Sequence, residues 1–142
     1  MNESFAKPLP EPDWADVDSY ADWVVASNRP YAGARGLDEA HARAVAATIH
    51  ARSHDPAAAN NHWLVVAGGD DDDEPLDVRR ITAPTLVLHG TDDPLFPLPH
   101  GEALAEAIPG ATFLALPGAG HEAPPRETWD VVVPLLLEHT AA

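Results

Sequence analysis

Residues 84–97, PTLVLHGTDDPLFP, decide the fold. Their first half, 84–90, is a continuous apolar run headed by Pro84 and ended by Gly90. Such a run predicts a strand buried on both faces of a parallel sheet. Downstream, the spacing predicts a helix from about Pro99 to Ile108, with Leu104, Ala107 and Ile108 facing inward and Pro109-Gly110 as its stop. Residues 111–117, ATFLALP, give a second strand, and strand, helix, strand is one right-handed crossover unit. A last helix runs through Trp129, Val132, Val133, Leu136 and Leu137, the stripe of a helix packed on a sheet. Trp129 reads most simply as core, and Pro134 is placed to kink the helix. Two parallel strands do not make a stable sheet. One flank must therefore pair with something else, unless residues 63–67 supply a strand.

Upstream the texture is helical. A first helix follows Asp16 or Asp18, carries Tyr20, Trp23, Val24 and Ser27 on related faces, and stops before Pro30. Gly33 and Gly36 mark a loop. A second helix starts near Asp38, with Ala42, Val45, Ala46 and Ile49 at helical spacing, and ends near Asp55-Pro56. AAANNHWLVVA, at 57–67, reads as a further short helix. The chain thus divides into an extended, Pro-rich arm at 1–13, a helical segment at 14–67, an acidic loop at 68–75 and an α/β part at 76–142.

Composition narrows the class. With 8 Lys+Arg against 23 Asp+Glu, the 142 residues carry a formal charge of −15, so phosphate backbones and anionic lipid surfaces are repelled. Nucleic acid and membrane are excluded as partners on this ground. Zero cysteines remove disulfides, thiol catalysis and Cys-ligated metals. No apolar run approaches the roughly 20 residues of a membrane span, and residues 1–14 lack a signal-peptide pattern, so a cytoplasmic location is expected. The acids at 70–74 lack the spacing and turn glycine of a calcium loop and read as a solvated break.

Chemistry concentrates in two segments, 89–97 and 117–122, each directly after a predicted strand. In open parallel sheets, ligand and catalytic groups sit on loops at the carboxyl ends of strands. An Asp on one such loop and a His on the next can orient an imidazole and stabilise its protonated form. Asp93, with Asp92 beside it, and His121 are the candidates. Other motifs weigh less. Ser4 and Lys7 match a Ser-x-x-Lys pattern without its partners, and His50 and His54 lie one helical turn apart without an adjoining Glu. Trp14, Trp23 and Trp63 read as packing residues of the helical segment.

Residues 84–97, 101–124 (GEALAEAIPGATFLALPGAGHEAP) and Trp129 together resemble the C-terminal part of an α/β-hydrolase-fold protein. The similarity is greatest to the esterase-like group that includes aclacinomycin methylesterase. It is close over about 76–142, and residues 13–67, with the NNHW run at 60–63, resemble that group's helical cap. The resemblance implies that the Gly-x-x-Asp turn supplies the acid at Asp93 and the Gly-x-Gly-His turn the base at His121. It implies a small-molecule ester as substrate, with no cofactor or metal. The family order is nucleophile, acid, histidine, with the nucleophile in a Gly-x-Ser-x-Gly turn. The upstream serines, Ser4, Ser19, Ser27 and Ser53, lack that setting. The expectation is therefore a cap plus the acid and histidine of a triad, inactive as a lone chain. Its alternative is a non-catalytic remnant, or a subunit that completes its sheet with a partner chain or by self-association through the open edge.

Overall fold

The computed structural model describes residues 9–61 and 77–141. The Ser-x-x-Lys run, the alternative strand at 63–67, the part of the expected 57–67 helix beyond residue 61 and the acidic run at 70–74 lie outside these residues. The elements in chain order are α1 (Val17–Asn28), α2 (Glu39–Arg52), β1 (Leu86–Gly90), α3 (Leu98–Ala107), β2 (Thr112–Leu116) and α4 (Trp129–Thr140). Short 3-10 turns occur at Arg29–Tyr31, Pro56–Asn60, Val78–Arg80 and Arg126–Thr128. Of the described residues, 9–29 and 38–61 form one compact unit, and 30–37 with 77–141 form another.

The first unit is a helical pair. Asp16 caps α1 by accepting from Ser19 N at 2.7 Å, and Asp38 caps α2 by accepting from His41 N at 2.9 Å. Tyr20, Ala21 and Ala46 are buried between the helices, with Trp14, Trp23 and Val24 packed against them. Trp14 and Trp23 meet edge to face with ring centroids 5.4 Å apart, so the expected packing role is the one observed. Val45 and Ile49, expected to face inward, are exposed. Ala46 alone on α2 is fully buried, because the helices approach closely where alanine leaves room. His50 turns toward α1: its Nε2 lies 3.0 Å from Trp14 O and its ring stands against Tyr20. At 56–60 the chain makes a 3-10 turn in place of the expected helix, with Pro56 at its start and Asp55 capping it.

The second unit holds the crossover. Strands β1 and β2 run parallel in register from Leu86↔Thr112 to Gly90↔Leu116, with α3 between them in the chain. Gly110, at φ +75°, turns the chain out of α3 into β2. Leu116, Ala119 and Val132 form the core, with Leu88 and Leu114 packed on it. The expected burial of both strand faces does not occur. Along β1 only Val87 and Gly90 are buried, and along β2 only Leu116, because the sheet has two strands among the described residues.

Both flanking helices depart in part from their expected faces: of the three residues expected inward at the end of α3, Ile108 is buried and Ala107 half-buried. α3 meets β1 through Gly101, whose missing Cβ lets the helix backbone lie against the His89 ring, and Leu104 is left exposed. α4 buries Val132, with Leu135 and His139 half-buried below it, while Val133, Leu136 and Leu137 point outward. Apolar residues cover most of this helix, so spacing alone could not choose its inner face. Trp129 is not core. It is exposed, donates from Nε1 to Pro124 O at 2.8 Å, and lies under the Arg126 guanidinium at 5.3 Å.

Candidate functional site

β1 ends at Gly90 and delivers the turn 91–96 to the carboxyl end of the sheet. Asp93 folds its side chain back into this turn, where Oδ1 accepts from Leu95 N at 2.8 Å and Phe96 N at 2.9 Å. The remaining oxygen, Oδ2, lies 2.8 Å from His121 Nδ1. Only 5% of the Asp93 side chain is exposed, against 44% for His121. Burial pushes the Asp93 carboxyl up. Hydrogen bonds from Phe96 N–H, the His121 ring and Leu95 N–H, with the His121 charge, outweigh it and hold the carboxyl below the usual carboxylate range.

The histidine arrives on the loop after β2. Gly118, at φ +71°, bends this loop over the end of β1, and Gly118 N donates to Thr91 Oγ1 at 2.8 Å. Asp92 N donates to Ala119 O at 3.0 Å, and Thr91 N to Leu116 O at 3.0 Å. A side chain at Gly90 would strike the carbonyls of Ala119 and Gly120, so glycine there is what allows the two loops to touch. Residues 28 apart in sequence therefore share a hydrogen bond because the crossover sets their strand ends side by side.

A third segment, 30–37, belongs to this site and was not foreseen as part of it. Tyr31 O accepts from His121 N at 2.8 Å. Arg35 donates from Nε to Pro117 O at 2.7 Å, and Ala34 N donates to Asp92 Oδ2 at 3.2 Å. Gly33 and Gly120 lie backbone to backbone, where a Cβ on either would enter the opposite chain. Asp92, the neighbouring acid candidate, is thus engaged with this strap and with the Thr91 hydroxyl, which donates to its Oδ1 at 3.0 Å. Asp93 is the carboxylate that meets His121. In sequence the strap offered only Pro30, Gly33 and Gly36, which signal a loop and not what the loop touches.

Beside the pair lies a cavity of ≈ 630 Å³, lined among others by Leu88, Asp93, Phe96, His100, Leu104 and His121. The described upstream serines make local bonds. Ser19 Oγ accepts from Asp13 N, Ser27 Oγ donates to Val24 O, and Ser53 Oγ accepts from Asp55 N. Among the described residues, no cluster of three or more His, Asp or Glu is set to hold a metal ion, and no helix is long and apolar enough to cross a membrane.

The family model of the alpha/beta hydrolase fold matches residues 4–127. "Putative carbamate hydrolase RutD" of Pseudomonas savastanoi pv. phaseolicola (strain 1448A / Race 6) is 34% identical over 101 residues, which are 71% of this chain and 34% of that protein. "Alpha/beta hydrolase domain-containing protein aho-3" of Caenorhabditis elegans is 47% identical over 45 residues, 31% of this chain and 14% of that one. Among solved structures, that of a "Serine Hydrolase Involved in the Carbazole Degradation (CarC enzyme)" matches with a TM-score of 0.56 and 22% identity, over 94% of this chain and 50% of that one. This last likeness is one of fold. The chain spans from about a seventh to half of the length of these proteins.

Proposed function

We propose that this chain, which belongs to the alpha/beta hydrolase fold family, carries the acid and the histidine of a serine ester hydrolase and takes its nucleophile from polypeptide outside these 142 residues. The observation that carries the reading is the 2.8 Å hydrogen bond between His121 Nδ1 and Asp93 Oδ2 at the ends of adjacent parallel strands. With Nδ1 directed at the carboxylate, Nε2 is the nitrogen that can exchange a proton with a nucleophile. In the completed enzyme a serine hydroxyl attacks the acyl carbon and gives its proton to His121. The imidazolium, stabilised by Asp93, then returns that proton to the departing alcohol, and water repeats the cycle on the acyl-enzyme. Small esters of the kind taken by the aclacinomycin methylesterase-like group are the substrate class.

The missing nucleophile is a matter of chemistry as well as of motif. Ser19, Ser27 and Ser53 sit at helix caps and turns, where their hydroxyls already serve the backbone. None occupies a strand-to-helix turn of the kind that exposes a nucleophile. The lone chain is accordingly inactive. The exposed apolar residues of the second unit favour completion of the sheet by a further polypeptide, as a heteromer or within a longer chain.

The test is hydrolysis of a short p-nitrophenyl ester by the 142-residue chain and by the protein isolated from its source cells, with fluorophosphonate labelling of the latter. The expected result is no turnover by the chain alone. In the isolated protein, label should fall on a serine outside these residues, with activity lost in His121→Ala. Turnover by the chain alone that disappears in His121→Ala would overturn the incomplete site. Full activity of the isolated protein carrying His121→Ala would overturn the catalytic reading itself.

A further inference from the structure

A second imidazole stands against the same carboxylate. His89, one residue before the end of β1, places Nε2 2.7 Å from Phe96 O and 3.9 Å from Asp93 Oδ2. A carbonyl oxygen only accepts, so the 2.7 Å contact puts the proton on Nε2. Phe96 is thereby held at both of its peptide groups, its N–H by Asp93 Oδ1 at 2.9 Å and its C=O by His89. The ring itself has little freedom. Its side chain is 14% exposed, and Gly101 of α3 lies so close that a Cβ there would come within 2.6 Å of His89 Cγ. Helix α3 thus fixes the ring, the ring fixes the Phe96 carbonyl, and the Phe96 N–H fixes Asp93 Oδ1.

We propose that His89 is a positioning residue for the Asp93–His121 pair: its Nε2–H clamps the turn 93–96 so that Asp93 offers Oδ2, and not Oδ1, to His121. The inference rests on the reading of Asp93 and His121 as an acting pair. The distances divide the labour. At 3.9 Å His89 is beyond hydrogen-bond reach of Oδ2 and does not compete with His121 at 2.8 Å, while its N–H dipole still lies beside the carboxylate. Unclamped, the turn could rotate the carboxylate and lose the 2.8 Å Nδ1–H···O bond that selects the His121 tautomer. Asp93, His100, His121 and Glu122 are the other titratable groups lining the cavity with His89. His100 Nδ1 lies 3.2 Å from Pro97 O, and Glu122 accepts from Gly120 N at 3.2 Å.

The experiment is NMR on the full chain, which needs no turnover and so fails independently of the catalytic reading. In the wild type, ring ¹⁵N shifts of neutral His89 should report the Nε2–H tautomer. The Nδ1–H tautomer would overturn the clamp, whatever the variants do. His89→Leu, checked for its fold by circular dichroism, should shift the ¹³C-detected titration of the Asp93 carboxyl upward and weaken the downfield Nδ1–H resonance of His121. His89→Gln, which keeps an N–H donor, should restore both signals. Unchanged signals in folded His89→Leu would overturn the proposal. Equal loss in His89→Leu and His89→Gln would also overturn it, since ring packing and not the N–H would then be responsible.

Discussion

Asp93 is a nearly buried charge stabilised by three short donors, two of them backbone N–H groups of its own turn. Its carboxyl is therefore depressed in the folded protein relative to the unfolded chain. A depressed acid contributes stability that is complete above its unfolded value, about 3.9, and is lost as pH falls through the folded value. Denaturant unfolding followed from pH 6 down to pH 2 should show this loss in the wild type. Asp93→Asn should be less stable at neutral pH by about 1–3 kcal/mol, because charged acceptors serve these donors better than an amide. Its stability should also fall less steeply below pH 4. Equal acid slopes in the two proteins would contradict the assignment. The residue types of this pair were legible in the sequence, since Asp93 and His121 follow apolar runs that end at glycines. The Gly-x-x-Asp turn already pointed to Asp93 over Asp92, but the engagement of Asp92 by Ala34 N, 58 residues away, left no trace in the local pattern.

At the level of elements, the site is a joint of three loops. The loop after β1 and the loop after β2 are hydrogen-bonded to each other, and the strap 30–37 ties down the second of them at Tyr31 O, Gly33 and Arg35. Gly120 is the tightest point of that joint, since an added Cβ would fall on the Tyr31 carbonyl and the Gly33 nitrogen. Gly120→Ala should cost about 1–3 kcal/mol in thermal or denaturant unfolding, the range for inserting a methyl group into a packed site. Hydrogen exchange at the His121 amide, which donates to Tyr31 O, should rise in the same variant. Protection equal to wild type would mean that the strap does not hold the histidine loop. The crossover could be read from local patterns because apolar run, amphipathic run and apolar run each carry their own period. The strap could not, for its partners are distant in sequence and its bonds are made by backbone atoms that every residue possesses.

Across the whole molecule, apolar surface is the unresolved burden of the fold. In the second unit Phe96, Leu104, Trp129, Val131, Val133, Leu136 and Leu137 are exposed, with Leu137 at 66%. The buried side chains there are smaller or fewer: Val87, Ile108, Leu116, Ala119 and Val132. Exposed apolar side chains in this number mark an interaction face or an aggregation hazard. The isolated chain should bind 1-anilinonaphthalene-8-sulfonate and sediment with associated species. Val133→Lys combined with Leu137→Lys should reduce both several-fold without loss of helical circular dichroism. A monodisperse chain that binds no dye would contradict the proposed completion by a further polypeptide.

What the amino-acid sequence determined by itself was everything carried by short-range pattern and by composition. This includes the parallel crossover unit, the start of the second helix at Asp38, the stop at Pro109-Gly110 and the acidic balance of −15, whereas the sequence left Asp16 and Asp18 both open as the start of the first helix. It also includes the two strand-end loops on which Asp93 and His121 sit. Tertiary structure alone decided which face of an all-round apolar α4 turns inward, that α3 touches β1 through a glycine, and that Trp129 is exposed. It also decided that a strap from before α2 holds the histidine loop. The division has one physical reason. Periodicity states that a residue can be buried, but burial and hydrogen bonding are completed only by atoms that another segment brings within contact distance.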